Sequence, residues 1–268
     1  MNSDVDRVVA HNRAAWDREV AGGGNEWTVP VGPEVTAAAR TGDWSVVLIG
    51  HEPVPGDWFP PDIAGLDILC LASGGGQQGP VLAAAGARVT VFDNSPRQLA
   101  QDEAVAVRDG LDIATVLGDM RDLSAFPDGG FDLVFHPVSN VFSPDIEPVW
   151  REAFRVLRPG GRLLAGFMNP DIFIFDGDAS ENRGELIVRH ALPYSDVTDL
   201  EPGEHDRLWP GQPFEHSHTL TAQIGGQLAA GFVITGFREA PHHDSPTAAY
   251  LPGYFATLAV KPAARYPA

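Results

Sequence analysis

Between Leu66 and Met168, short runs of apolar residues alternate with longer segments whose apolar positions recur at helical spacing. Apolar runs of this kind suit strands buried on both faces, and their alternation with helices predicts a parallel sheet built from βαβ units. The pattern places strands at 66–71, 88–93, 113–117, 131–136 and 161–168, with helices at about 77–85, 95–108 and 145–157. The second of these helices has the clearest start. Ser95 caps it, Pro96 takes its first position, and Gln98, three residues after Ser95, completes a capping box.

Upstream, Val5, Val8, Val9, Asn12, Trp16 and Val20 recur at roughly helical spacing and predict a helix near residues 3–20, ended by Gly22, Gly23 and Gly24. A shorter helix opens at Pro33 and stops at Gly42, and a Pro-rich passage from Pro53 to Pro61 leads into the core. Residues 169–218 interrupt the repeat. They are rich in Asp, Glu, Pro, Gly and His, with one β-like run from Glu185 to Ala191. A helix near 219–230 and strands at Phe232–Glu239 and Tyr254–Val260 follow. The organisation expected is a single domain: an N-terminal helical extension or cap over 1–60, a core over 61–168 and 219–268, and an insertion or lid over 169–218.

Composition narrows the partners. The chain has 268 residues and a formal net charge of −18, with no basic run to offset it, which argues against nucleic acid and anionic membranes. No basic leader with an apolar run, and no stretch of about 18 uncharged apolar residues, occurs in it, so a cytoplasmic location is expected. The single cysteine, Cys70, rules out a disulfide framework and reads as a small core residue.

The first strand runs into Gly74-Gly75-Gly76-Gln77-Gln78-Gly79, a turn that lets a ligand approach main-chain N–H groups at the start of a helix. This turn satisfies the G-x-G-x-x-G pattern, and Asp93 at the end of the second strand could accept hydrogen bonds from ribose hydroxyls. Nicotinamide and adenosyl cofactors share both features. Two further motifs separate them: Gly118-Asp119-Met120 after the third strand, able to pair with and cover an adenine ring, and the tight turn Leu157-Arg158-Pro159-Gly160-Gly161.

In this order, with Phe131-Asp132-Leu133-Val134 between the last two motifs, the chain resembles the class I S-adenosylmethionine-dependent methyltransferases, closely over about residues 60–168. The resemblance implies an α/β, Rossmann-like, seven-stranded and mostly parallel sheet of order 3-2-1-4-5-7-6. The last strand would be antiparallel beside the fifth, and the site would lie at the carboxyl ends of the strands. It implies S-adenosyl-L-methionine as cofactor, with Ala72, Ser73, Gly74, Gly75 and Gly76 along its methionine portion, Asp93 on its ribose, and Asp119 with Met120 flanking its adenine beside Gly118. Asn94 either reaches the adenine edge or shapes its turn. Gln78, Gln98, Val138 and His136 complete the cofactor set. The chain departs from the family where it carries Cys70 in place of an acidic residue and Ala72 in place of glycine, leaving Gln77 and Gln78 as substitutes in polar contacts.

Methyl transfer from a sulfonium depends mainly on in-line alignment, with a base needed only if the acceptor loses a proton. His136 is either that base or a wall residue beside the cofactor, and Asn140 is a candidate for orienting the acceptor. Pro137 to Asn140 is not the Asn/Asp-Pro-Pro-aromatic motif of nucleobase amino-methyltransferases. Trp16, Trp27 and Trp209, with His216, are the candidate acceptor residues; aromatic walls suit a small, partly apolar molecule. Histidines at His216 and His218, and at His242 and His243 with Asp244, invite a metal, but for the first pair the sequence fixes no third ligand, and no metal is expected. The function expected is methyl transfer to a small molecule. The alternatives are a nicotinamide-dependent oxidoreductase or a cofactor-binding protein without catalysis; a homodimer stays open.

Overall fold

Seven strands pair into one sheet in the computed structural model, which describes residues 3–263; residues 264–268, assigned to the core above, lie outside the described residues. The strands are β1 (Asp67–Leu71), β2 (Arg88–Asp93), β3 (Ile113–Leu117), β4 (Phe131–His136), β5 (Leu157–Met168), β6 (Val233–Ala240) and β7 (Tyr254–Val260). Their order is β3-β2-β1-β4-β5-β7-β6, as the resemblance implied. The first five are parallel, and β7 runs antiparallel to both β5 and β6. From β1 the chain winds outward to β2 and β3, then returns to β4 on the other side, which opens a crevice at the carboxyl ends of β1 and β4.

Eight α-helices accompany the sheet among the described residues: α1 (Ser3–Gly22), α2 (Pro33–Ala39), α3 (Gln78–Ala84), α4 (Pro96–Asp109), α5 (Glu147–Val156), α6 (Gly177–Arg183), α7 (Glu204–Leu208) and α8 (Gly226–Ala230). Because side chains alternate along a strand, β1 serves two cores. Ile68 and Cys70 pack with Val81 and Leu82 of α3, Leu99 of α4 and Trp58, while Leu69 and Leu71 pack with Val149, Trp150 and Val156 of α5. Burial pushes the Cys70 thiol up, consistent with an inert core position.

Three local expectations need correction. The turn 157–161 is absorbed into β5 as an irregularity: Phe131 pairs with Leu157 but Leu133 pairs with Arg162, with Gly160 at φ +85°. The run 185–191 forms no strand; it makes one isolated bridge, Phe175 to Val188. At the start of α4, the Ser95 hydroxyl does accept from the Gln98 N–H at 3.1 Å, but the Ser95 N–H donates to Asp93 Oδ1 at 2.9 Å rather than to Gln98. Asp93 is the nearer acceptor, which leaves the Gln98 side chain free to turn elsewhere.

The segment after α2 crosses β5 closely. A Cβ built on Gly166 would lie 2.4 Å from the Leu48 carbonyl oxygen, so a glycine there admits the backbone that carries Val47, Leu48 and Ile49 over the sheet. On the opposite face Trp150 is fully buried and donates its indole N–H to the Ala222 carbonyl at 3.0 Å. Trp150→Ala should lower unfolding free energy by about 3–5 kcal/mol in chemical denaturation. A loss below about 1 kcal/mol would mean that the α5 face is not the core it looks to be.

Candidate functional site

At the end of β1 the backbone turns sharply. Ala72 sits at φ +48°, in the left-handed region that a Cβ disfavours, which accounts for the glycine usual at this position in the family it resembles. Its N–H donates to the Phe92 carbonyl at 2.7 Å, and its carbonyl accepts from the Ser139 hydroxyl at 2.7 Å, so both neighbouring strand ends hold it in place. Gly75 and Gly76 follow at φ +113° and +74°.

Two carboxylates hold the loop from beneath. The Gly74 N–H donates to Asp93 Oδ2 at 2.9 Å, and the Gly75 N–H donates to Asp102 Oδ2 at 3.0 Å. A Cβ on Gly74 would lie 2.7 Å from the Gln98 Cβ, so the loop packs directly on α4. Burial raises the pKa of both carboxyls above the usual range, that of Asp102 to about 8 with Asp93 as a nearby like charge. Asp102 is fully buried, and sequence reading missed it. A signal was present: Asp102 shares a helix face with Leu99, Val105 and Ala106, where a lone carboxylate needs a polar partner.

A cavity of about 630 Å³ opens above this loop. Ala72, Ser73, Gly74, Asp93, Asn94 and Gln98 line it from β1, β2 and α4; Gly118, Asp119 and Met120 line it after β3, and Val138 after β4. Within its wall the Ser73 hydroxyl and Gln98 Oε1, in residues each 5% exposed, have no hydrogen-bond partner among the described residues. An unpaired donor and an unpaired acceptor beside a loop that admits no side chain fit the amino-acid end of an adenosyl cofactor.

Other expected residues are placed differently. Gly75 and Gly76 shape the loop but are not on the cavity wall. Gln77 and Gln78 border the cavity, yet their side chains bind backbone of the N-terminal segment: Gln77 donates to Glu26 and Val29, and Gln78 accepts from Val47. Asn94 is engaged by α1, donating to the Val9 carbonyl at 3.0 Å and accepting from Arg13 at 3.0 Å. Asp119 is gripped by the Arg121 guanidinium.

His136 and Asn140 are fully buried and absent from the cavity wall, which corrects their assignment as base and acceptor-orienting residue. The ring is turned inward, with Nδ1 2.9 Å from the Leu71 carbonyl and Nε2 2.9 Å from the Asn140 side-chain amide. Desolvation lowers the His136 pKa, against the opposing effect of the hydrogen bonds to Leu71 and Asn140. Nε2 faces Asn140 Oδ1, and the Asn140 NH₂ donates to Gln223 Oε1. With Gln223, 3.0 Å from Asn140, these groups brace the turn after β4.

The far side of the cavity comes from α1 and the 169–218 segment. Trp16, Trp27 and Trp209 border it, and so do Phe173, Tyr194, Asp196, His205 and Glu215, which sequence reading did not single out. His216 does not border it. In the extended stretch 213–216 alternate residues face opposite ways, so Pro213 and Glu215 reach the cavity while His216 pairs with Ser195 behind it. Asn12 ties the two walls together, donating to the Phe142 and Phe214 carbonyls and accepting from the Phe214 N–H at 2.8 Å. Among the described residues no group of three or more His, Cys, Asp or Glu is placed to hold a metal, and no helix is long and apolar enough to cross a membrane.

Comparison with known proteins agrees with this geometry. A methyltransferase domain family matches residues 69–165. The uncharacterized methyltransferase YbaJ of Bacillus subtilis is 52% identical over 236 residues, 88% of this chain and 91% of that protein. An S-adenosylmethionine-dependent methyltransferase from Mesorhizobium loti shares the fold with a TM-score of 0.58 at 20% identity, over 76% of this chain and 94% of its own. A 1,6-didemethyltoxoflavin-N1-methyltransferase of Burkholderia thailandensis, solved with 1,6-didemethyltoxoflavin and S-adenosylhomocysteine, gives 0.57 at 16% identity, over 98% and 92%.

The raised Asp102 pKa has a measurable consequence. Its carboxyl keeps a proton in the folded chain that it loses in the unfolded chain, so the folded state is progressively penalised as pH rises from about 4 to about 8. Asp102→Asn removes that titration and should flatten the fall in unfolding free energy across this window, with its largest relative gain at the alkaline end. Parallel pH profiles for the two proteins would show the Asp102 carboxyl to be unperturbed.

Proposed function

Because the chain belongs to the class I S-adenosylmethionine-dependent methyltransferases, with S-adenosyl-L-methionine as its cofactor, we propose that it methylates a small, partly apolar acceptor enclosed between α1 and the 169–218 segment. One observation carries this reading: a single cavity of about 630 Å³ runs from the glycine loop to walls bearing Trp16, Phe173, Tyr194 and Trp209. A space of that size with aromatic sides suits a compact organic molecule better than a polymer.

Each wall residue has a role it can perform. A carboxylate offers roughly four lone-pair directions; Asp93 uses two on the Gly74 and Ser95 N–H groups, which leaves two for ribose hydroxyls. The Ser73 hydroxyl and Gln98 Oε1 hold the amino-acid end, and Met120 and Val138 cover the adenine, with Asp119 held at its edge by Arg121. The bound cofactor supplies a methyl group on a sulfonium whose departure as a neutral thioether needs no acid. The protein's part is therefore alignment and exclusion of water. His136, turned inward, contributes by bracing the turn that carries Val138 and Ser139. The 169–218 segment acts as the lid, joined to α1 through Asn12 and through Arg18, which donates to the Gly211 carbonyl at 2.8 Å.

Two measurements test this. Asp93→Ala should weaken S-adenosylhomocysteine binding by about tenfold or more in calorimetry, because a charge-assisted acceptor is lost; an unchanged dissociation constant would remove Asp93 from the site. With isotopically labelled methyl donor and a fractionated cell extract, label should enter the low-molecular-mass filtrate. Label confined to protein or nucleic acid would overturn the small-molecule reading.

A further inference from the structure

We propose, resting on the methyltransferase reading above, that the acceptor is a protonatable amine methylated on nitrogen, and that Glu215 pairs with its positive charge and takes its proton. The acceptor half of the cavity is acidic and aromatic at once. Glu181, Asp196, Glu215 and Asp244 border the cavity, and among the described residues no lysine or arginine does. Desolvation lowers the pKa of His190 and His242 on the same wall, which disfavours their charged forms, and His205, also on the wall, lies 3.6 Å from Asp196 Oδ2.

Among these acids Asp244 is exposed to solvent, and Glu215 stands apart from the other two. Asp196 is already engaged, its Oδ1 accepting the Tyr194 hydroxyl at 2.7 Å and its Oδ2 accepting the Glu215 N–H at 2.7 Å. Glu181 accepts the Trp209 indole N–H at 2.8 Å. The Glu215 carboxylate has no hydrogen-bond or ion-pair partner among the described residues, although it borders the cavity. Burial pushes it up to about 8, with the charges of Asp196 and Glu181 adding to the effect. Near neutral pH the empty site therefore holds mostly the protonated carboxyl, and a cation arriving in the cavity supplies the counter-charge that lets it ionise.

The surrounding rings point the same way. Tyr194 lies 5.8 Å from Phe173 in a stacked arrangement and 4.6 Å from His190. Such faces attract a desolvated cation and also receive the apolar body of an amine. The stretch that carries Glu215 is fastened to the turn after β4. The neighbouring His216 N–H donates to the Val141 carbonyl at 2.7 Å, on the same turn whose Ser139 hydroxyl binds the Ala72 carbonyl at 2.7 Å.

The step balances without a further reagent. An ammonium proton passes to the Glu215 carboxylate and frees the nitrogen lone pair; the N–C bond forms as the C–S bond breaks, and that electron pair stays on sulfur. A carboxylate or phosphate ester in the acceptor would meet only like charge here. Such molecules are excluded by repulsion rather than by size.

The full chain saturated with S-adenosylhomocysteine is titrated in a calorimeter with benzylamine, benzyl alcohol and benzoate, which share a ring and differ in charge. Benzylamine should bind about tenfold or more tightly than benzyl alcohol, and benzoate should give no binding heat. Glu215→Gln should abolish the preference for the amine while S-adenosylhomocysteine affinity stays within about threefold, which also shows that the variant folds. Glu215→Asp, which keeps the charge, should retain part of the preference. Equal or absent binding of the three probes, or a preference that survives Glu215→Gln, overturns the proposal. A loss of S-adenosylhomocysteine affinity in Glu215→Gln does so too, by placing the carboxylate on the cofactor. Failure of the unaltered protein to bind S-adenosylhomocysteine would instead sink the underlying reading, and this proposal with it.

Discussion

Everything at the site depends on how the loop after β1 is held. Its backbone passes through left-handed conformations at Ala72, Gly75 and Gly76, and its N–H groups would be orphaned if nothing beneath accepted them. Asp93 and Asp102 do so from two different elements, the end of β2 and the inner face of α4. The loop therefore exists only where strand and helix are already packed against one another. Its cost is two enclosed carboxylates with raised pKa values, tolerated because the N–H groups face them directly.

The same economy governs the closure of the cavity. The residues most familiar from the pattern, Asn94, Gln77 and Gln78, turn their polar groups toward the N-terminal segment. As a result α1 and the stretch leading to α2 are fastened over the carboxyl ends of β1 and β2. Asn12, 3% exposed, then joins α1 to the 169–218 segment with both ends of its amide. The cavity is thus enclosed by parts of the chain more than two hundred residues apart. Its walls can differ in character: backbone and small polar groups where the cofactor lies, aromatic rings and carboxylates beyond it.

Sequence reading went astray where a residue's direction mattered more than its identity. His136 sits at the predicted place, the end of β4, but the fully buried ring turns to the Leu71 carbonyl and Asn140 instead of the cavity. His216 and Glu215 are neighbours in an extended stretch, and the expectation named the one that faces away. Gln98 lies in a recognisable capping pattern, yet Asp93 takes the Ser95 N–H and releases the Gln98 side chain to the cavity wall.

By itself the sequence determined the sheet. Apolar runs of strand length and glycines at the turns place the strands along the chain, because these follow from local periodicity and backbone freedom. The order of motifs carries the family resemblance that implied the strand order and the cofactor-facing end. The final strand's antiparallel insertion came from the family resemblance, and the sheet bears it out. Only the tertiary structure decided which carboxylates are buried, which amides are already spent, and which aromatic and acidic groups meet in the acceptor half of the cavity. Those properties depend on the distance between residues remote in the chain, such as Asn12 and Phe214, or Asp102 and Gly75. Desolvation and partner geometry, unlike periodicity, leave no local trace.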